Sequence, residues 1–166
     1  MPQMIRFSLS YDAPEDRIAW DAEDAAGVTI RLWLTQRFCR DFVGALAPRL
    51  PRPTADLPPE HEATAQAWEQ AAAMASFGSA PGVTVQPDAT AGLVRTVHIA
   101  PTPQNVALVF ESGVAEPAAI TLDSAALRQM LAVLFSLHKA AAWPTSFWPG
   151  WIAEPAPAEA AAAALN

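Results

Sequence analysis

The chain has 166 residues, of which 52% are hydrophobic, so it is long enough to bury a core and too apolar to be disordered. Its net charge of −7 argues against non-specific binding to nucleic acid, whose affinity comes mainly from neutralised phosphates. Charged residues make up only 16% of the chain, which has two explanations that stay open. Either a partner covers part of the surface, or the genome favours Ala, Pro and Arg.

The N-terminal part carries three strand-like runs followed by a helix. Apolar residues alternate with polar ones at 5–11, 17–21 and 28–34, and this period of two predicts half-buried strands. Thr35 is expected to cap the helix that follows, and Pro48 is expected to end it.

A connector and a second helix separate this part from the C-terminal half. Five prolines at 48–59 predict an extended linker. The Ala-rich run 60–77 predicts a central helix with acidic residues in its first turn and Gly78 at its end. Val83 and Val85 suggest a short strand.

The C-terminal half repeats the order of strands and helix. Strand-like runs lie between Leu93 and Leu122, and a helix follows that Asp123 or Ser124 is expected to cap. Aligning Thr35 with Ser124 places Phe38 on Leu127 and Phe42 on Leu131.

We therefore predict an α+β fold with an internal pseudo-repeat of two antiparallel sheet-plus-helix units, related by a pseudo-twofold axis. The units span 4–47 and 92–141, and the linker 48–59 and helix 60–77 join them. The expected boundaries are a single domain at 1–152 and an Ala/Pro-rich tail at 153–166.

No residue pattern predicts catalysis, a metal or a cofactor. His61, His98 and His138 are far apart and lack metal-ligand spacing, and the scattered glycines form no phosphate-binding loop. Cys39, the only cysteine, is expected to be buried in the first helix and rules out an intrachain disulfide. We list no catalytic or metal residue and no cofactor, and we lean against an enzyme.

The segment 143–151 is the strongest candidate for a functional surface. It combines four aromatic residues with two prolines, and tryptophan dominates binding hot spots. We predict that Trp143, Phe147, Trp148 and Trp151 bind a partner. Two alternatives stay open: the segment folds back over its own sheet, or it crosses to a second copy in a homodimer.

The first functional hypothesis is a non-enzymatic interaction or assembly module that presents its sheet and the segment 143–151 to another protein or to a second copy of itself. We expect the module to form a homo-oligomer. We expect it in the cytoplasm, because the sequence begins with no secretory leader. No membrane span is predicted, since no apolar run reaches about 18 residues.

The second hypothesis is a single-stranded nucleic-acid-binding protein, although the acidic balance makes nucleic acid the less favoured partner. Aromatic and basic strand faces stack bases, and one such face is expected here. Its residues are Arg6, Arg17, Arg31, Trp20 and Trp33. The alternative is a solvated face of mixed charge.

Paired sheet-then-helix units resemble those of Whirly-type DNA-binding proteins in topology alone. No motif residue matches, and the first unit has three strands where theirs have four. A third hypothesis is an enzyme for a small ligand that carries no recognisable motif.

Overall fold

The computed structural model describes residues 1–50, 58–78, 80–113 and 116–154, without the side chains of 59 and 60. Within these residues the fold is α+β, with one mixed seven-stranded sheet and four α-helices. The strands are β1 (Gln3–Asp12), β2 (Arg17–Asp24), β3 (Thr29–Leu34), β4 (Thr90–Leu93), β5 (Thr96–Pro101), β6 (Asn105–Glu111) and β7 (Ala118–Asp123). The helices are α1 (Gln36–Leu46), α2 (Pro59–Ala75), α3 (Ser124–Ala140) and α4 (Gly150–Ala153), and a 3₁₀ turn (Ala47–Arg49) follows α1.

The helix caps agree with the sequence. The Thr35 hydroxyl accepts a hydrogen bond from the Phe38 amide at 3.2 Å, and α1 ends at Leu46, two residues before Pro48. The Asp123 carboxylate accepts from the Ala126 amide at 2.8 Å and caps α3. None of the described helices is long and apolar enough to cross a bilayer.

Two local predictions are wrong. No strand forms at 83–85, because this segment bonds to side chains of the sheet: the Val83 amide donates to the Ser8 hydroxyl and the Gln86 amide to the Thr29 hydroxyl, both at 3.0 Å. Ile5 is 62% exposed, because a bulge between Met4 and Arg6 shifts the register and turns Met4 inward instead. Residues 51–57 of the predicted linker lie outside the described residues.

The sheet closes on itself through one continuous piece of chain. Its strand order is β4-β3-β2-β1-β7-β6-β5, so β4 and β5 stand at opposite ends, yet only Val94 and Arg95 separate them. The Val94 amide donates to the Trp33 carbonyl at 3.0 Å, and the Arg95 amide donates to the Glu111 carbonyl at 2.9 Å. The segment 90–101 therefore pairs first with β3 and then with β6. It joins the two ends of the sheet into a barrel.

Ring contacts across the interior agree with this closure. Three strand spacings separate β2 from β6 by way of β1 and β7, a distance of about 14 Å in a flat sheet. The ring centroids of Trp20 on β2 and Phe110 on β6 nevertheless lie 4.6 Å apart. Phe42 of α1 contacts the same Phe110 ring at 5.9 Å, so α1 packs into this core.

The barrel has two openings, one at each parallel contact. β1 pairs with β7 only at Gln3 and Met4, and the rest of β1 pairs with β2 alone. β3 pairs with β4 only as far as Leu93, and among the described strands β5 pairs with β6 alone. A helix lies at each opening. At the first opening it is α3, which follows β7 and packs beside β1; at the second it is α1, which follows β3 and lies beside β5.

We expect Trp20 and Phe110 to be energetically coupled. A double-mutant cycle of Trp20→Leu and Phe110→Leu, measured by urea unfolding, is expected to give a coupling free energy of about 0.5–1.5 kcal/mol. Trp20→Leu with Val28→Ala is the control cycle, because Val28 is exposed in the turn between β2 and β3. A Trp20–Phe110 coupling within about 0.3 kcal/mol of zero would contradict the closed barrel.

Candidate functional site

The aromatic segment 143–151 packs against its own chain. Trp143 and Trp148 are buried, and both rings lie 5.1 Å from the His138 ring of α3. The indole N–H of Trp143 donates to the Asp16 carboxylate at 2.9 Å and ties the segment to the turn after β1.

The two remaining rings of this segment are half-buried. Phe147 lies 5.8 Å from the His138 ring. Trp151, in α4, faces the guanidinium of Arg128, which lies 5.4 Å from the ring centroid. All four residues that the sequence nominated for partner binding therefore contact side chains of α3.

His138 is a buried neutral imidazole inside this aromatic group. Its Nδ1 lies 2.8 Å from the Leu134 carbonyl oxygen, so Nδ1 carries the proton and donates it. Burial lowers the pKa of His138, although the hydrogen bond to Leu134 opposes that shift. Nε2 has no hydrogen-bond partner within the described part of the chain.

Arg128 is the second buried polar residue of α3. Its guanidinium donates to the carbonyl and side-chain oxygens of Gln66 on α2, and Gln70 donates back to the Arg128 carbonyl at 3.0 Å. Burial lowers the pKa of Arg128, and the charge of Glu69 partly offsets that effect. These bonds fix α2 against α3, which gives this arginine a structural role.

The residues nominated for nucleic-acid binding do not share one face. Cross-strand register places Arg31 beside Asp21 on the outer face of the sheet, where a bidentate ion pair joins them at 2.7 Å. Trp33 lies beneath the Arg31 guanidinium at 5.2 Å. Trp20 points to the opposite, inner face and is 1% exposed.

The other two nominated arginines also have acidic partners. Arg6 pairs with Glu23 at 2.6 Å, and Arg17 pairs with Glu15 at 3.3 Å. The chain at 82–86 crosses this face between its bonds to Ser8 and Thr29. The outer face of β1–β3 is therefore a surface of paired charges that is partly covered by its own chain.

The remaining nucleophilic and basic side chains lie apart. Burial raises the pKa of the Cys39 thiol to about 12, so it stays protonated. His98 lies 3.1 Å from Glu111 on the outer face of the barrel, and His61 is exposed on α2. Within the described residues, no group of three or more His, Cys, Asp or Glu side chains is placed to hold a metal ion.

The opening beside β5 forms an apolar groove of about 620 Å³. Phe38 and Phe42 of α1 line one side, and Val97 and Ile99 of β5 line the other. The two phenylalanine rings stack at 5.7 Å with 18° between their planes. We call this cavity the β5 groove.

Two arginines stand at the rim of the β5 groove. Arg37 lies in the first turn of α1, and Arg95 comes directly before β5. Both are exposed, and neither guanidinium makes a hydrogen bond or an ion pair with any described residue. Asp41 lines the same cavity, and its carboxylate pairs with Arg40 at 3.1 Å.

The opening beside β1 also holds a cavity, of about 300 Å³, which we call the β1 groove. Phe7 and Leu9 of β1 and Met130 of α3 line it. Here the chain itself supplies a cover: Phe77, Gly78 and 80–82 line the same cavity, and the next residue, Val83, bonds to Ser8.

Comparison with known proteins gave no likeness to report. No protein-family model, no curated protein and no solved structure matches the chain.

The sequence analysis missed the β5 groove. One signal was visible: Arg95 is the only basic residue in 53–119, apart from histidines, in a stretch that otherwise carries acids. Its proximity to Arg37 was not visible, because that proximity depends on the pairing of β3 with β4.

We expect acid to destabilise the protein through His138. Burial lowers the pKa of folded His138 below its usual 6.5, so the stabilisation is complete above about pH 6.5 and is lost as the pH falls below that value. Urea unfolding of His138→Gln across this range is expected to show a shallower loss, by at most about 1.4 kcal/mol per pH unit.

His61→Gln is the matched control, because it removes an exposed histidine instead. It is expected to keep the pH profile of the parent. If His138→Gln and the parent lose the same free energy of unfolding between pH 7.5 and pH 5, roughly the range over which a histidine titrates, the assignment is wrong.

Proposed function

We propose that the protein is a non-catalytic interaction module that binds an extended segment of another protein in the β5 groove. The observation that carries the proposal is the edge of β5, which no described strand other than β6 pairs with, and which borders an apolar cavity beside α1. An unpaired strand edge beside a helix is a recurrent site of strand addition, in which backbone hydrogen bonds supply affinity.

The edge of β5 has little protection against an added strand. Proteins guard such edges with lysines, prolines, bulges or covering chain. β5 contains no lysine, and its proline, Pro101, stands at the last position. The strand is largely exposed, with only Val97 and Ile99 partly buried.

The β5 side of the groove is suited to apolar side chains. Val97 and Ile99 pair with Phe110 and Leu108 of β6 and share their inward face. Side chains of an added strand alternate between two faces, so every second one would point toward Phe38 and Val97. The remaining side chains would point outward to water.

We also infer that the units 4–47 and 92–141 are copies of one plan. If β4 and β5 are counted as one bent strand, the ring runs β1, β2, β3, β5, β6 and β7, with a parallel contact after β3 and after β7. A half-turn about the barrel axis then relates the two units, α1 to α3, and the β5 groove to the β1 groove.

This equivalence supports the proposal because the described part of the chain covers one of the two grooves and leaves the other open. The β1 groove is covered by Phe77–Gly78 and 80–82 of the chain itself. No segment within the described ranges covers the β5 groove in that way. The covered groove is therefore an internal precedent for an extended segment lying between a strand and its helix.

The proposal retains the first hypothesis from the sequence and moves its interface. The rings of Trp143 and Trp148 are engaged with His138, so we assign the segment 143–151 to the core and not to the interface. The paired arginines of the β1–β3 face lead us to set the nucleic-acid hypothesis second. A second copy of the chain is the alternative occupant of the groove.

Substituting Ile99 with lysine is expected to abolish binding of extended peptides, because the charge would enter the apolar groove. Random linear peptides displayed on phage are selected on the parent protein, and enriched peptides are then measured by fluorescence anisotropy. We expect at least about a tenfold loss of affinity in Ile99→Lys, as for a lost binding contact of about 1.4 kcal/mol.

Ile5→Lys makes the same change at an exposed strand position and is expected to bind as the parent does. Phe38→Ser tests the helix side of the groove in case Ile99→Lys unfolds, and circular dichroism reports folding of each variant. The proposal is contradicted if the parent enriches no peptide. It is also contradicted if Ile99→Lys and Phe38→Ser both fold and bind the enriched peptides as tightly as the parent does.

A further inference from the structure

We infer that the segment bound in the β5 groove is acidic: it carries a carboxylate that Arg37 and Arg95 bind, next to apolar residues that fill the groove. This inference rests on the proposed function and specifies its ligand. The ligand class is an extended, apolar peptide segment with an Asp or Glu side chain at the end of the groove where the two arginines stand.

The topology brings Arg37 and Arg95 to the lining of one cavity. Trp33 pairs with Leu93, so the residues that follow each of them emerge side by side. Arg37 lies in the first turn of the helix after β3, and Arg95 lies two residues after Leu93. Both side chains line the same cavity as Val97 and Ile99.

These two arginines differ from the other arginines that the structure describes. Arg6, Arg17, Arg31 and Arg40 pair with carboxylates. The remaining two bond to oxygens of the chain: Arg49 to the Ala45 carbonyl and Arg128 to Gln66. Arg37 and Arg95 have no such partner among the described residues, although the protein carries an excess of acids.

The covered groove shows the complementary case. No charged residue lines the β1 groove, and the residues that cover it (Phe77, Gly78, Ala80, Pro81 and Gly82) carry no charge. The alignment of Thr35 with Ser124 places the uncharged Ala126 where Arg37 stands in the other unit. An uncharged rim thus meets an uncharged segment. At the β5 groove the acid that lines the cavity, Asp41, is paired with Arg40, whereas Arg37 and Arg95 have no acidic partner among the described residues, so by the same matching this rim calls for an anionic segment.

The same argument disfavours a second copy of this chain as the occupant. Edge-to-edge pairing would add β5 of one copy to β5 of the other. The sequence of β5, Thr-Val-His-Ile-Ala-Pro, contains no acid that could meet Arg37 and Arg95. We therefore commit to a segment of a different protein.

The test uses two synthetic peptides of alternating valine and threonine, one with a glutamate at each end and one with glutamines there. Fluorescence anisotropy at low and raised salt gives the affinity of each for the full chain. We expect the glutamate peptide to bind more tightly by about two- to thirtyfold, since exposed ion pairs contribute modestly. Salt should reduce this preference.

The double variant Arg37→Gln/Arg95→Gln is expected to lose the preference for glutamate and to retain binding of the glutamine peptide. Arg6→Gln/Arg17→Gln removes the same charge from a different face and is expected to keep the preference. Arg37 and Arg95 are both exposed, so their replacement by glutamine leaves the core intact. Both double variants are therefore expected to fold, as circular dichroism would verify.

Failure of this inference can be distinguished from failure of the proposed function. Equal affinity for the two peptides, or a preference that survives Arg37→Gln/Arg95→Gln, overturns the inference and leaves the proposed function intact. Binding of neither peptide also overturns it, even if library peptides bind. Self-association that Ile99→Lys abolishes, seen by sedimentation, would assign the groove to a second copy. If nothing binds and nothing self-associates, the proposed function fails as well.

Discussion

The passage of the chain through Val94 and Arg95 is the constraint on which the rest of the structure depends. Amides of two successive residues donate to strands that stand near opposite ends of the sheet order. That arrangement requires the sheet to curve until its ends meet. The curvature in turn brings Trp20 and Phe110 into contact and creates an enclosed interior, so the core exists only because the ring is closed.

The barrel is closed by two short parallel strand contacts, and their shortness explains the position of the helices. The β1–β7 contact involves only Gln3 and Met4 of β1, and the β3–β4 contact ends at Leu93, before β5 begins. Among the described strands, part of β1 and all of β5 are therefore left with one unpaired edge. Apolar side chains at these openings would face water without a cover. The helix that follows β3 or β7 supplies one side of that cover, and at β1 Phe77, Gly78 and 80–83 complete it. The opening at β5 combines an apolar cavity with a strand edge that no other described strand pairs with.

The aromatic segment illustrates why composition alone misleads about function. A cluster of tryptophans suits a binding hot spot, but large rings also give the most apolar burial for each residue ordered. Here Trp143 and Trp148 surround His138, and Trp151 lies over Arg128. The segment thus packs over the two buried polar side chains of α3.

The sequence by itself determined the features that depend on neighbours along the chain. Alternation predicted β1, β2 and β3. The sequence also predicted the cap at Thr35 and narrowed the second cap to Asp123 or Ser124, because a cap is a bond to a residue three positions away. Only the tertiary structure decided the bulge that turns Ile5 outward, the closure at Val94, and the presence of Arg37 and Arg95 at one groove. Each of these depends on which strand pairs with which and in what register, and pairing between distant residues leaves no periodic trace in the sequence.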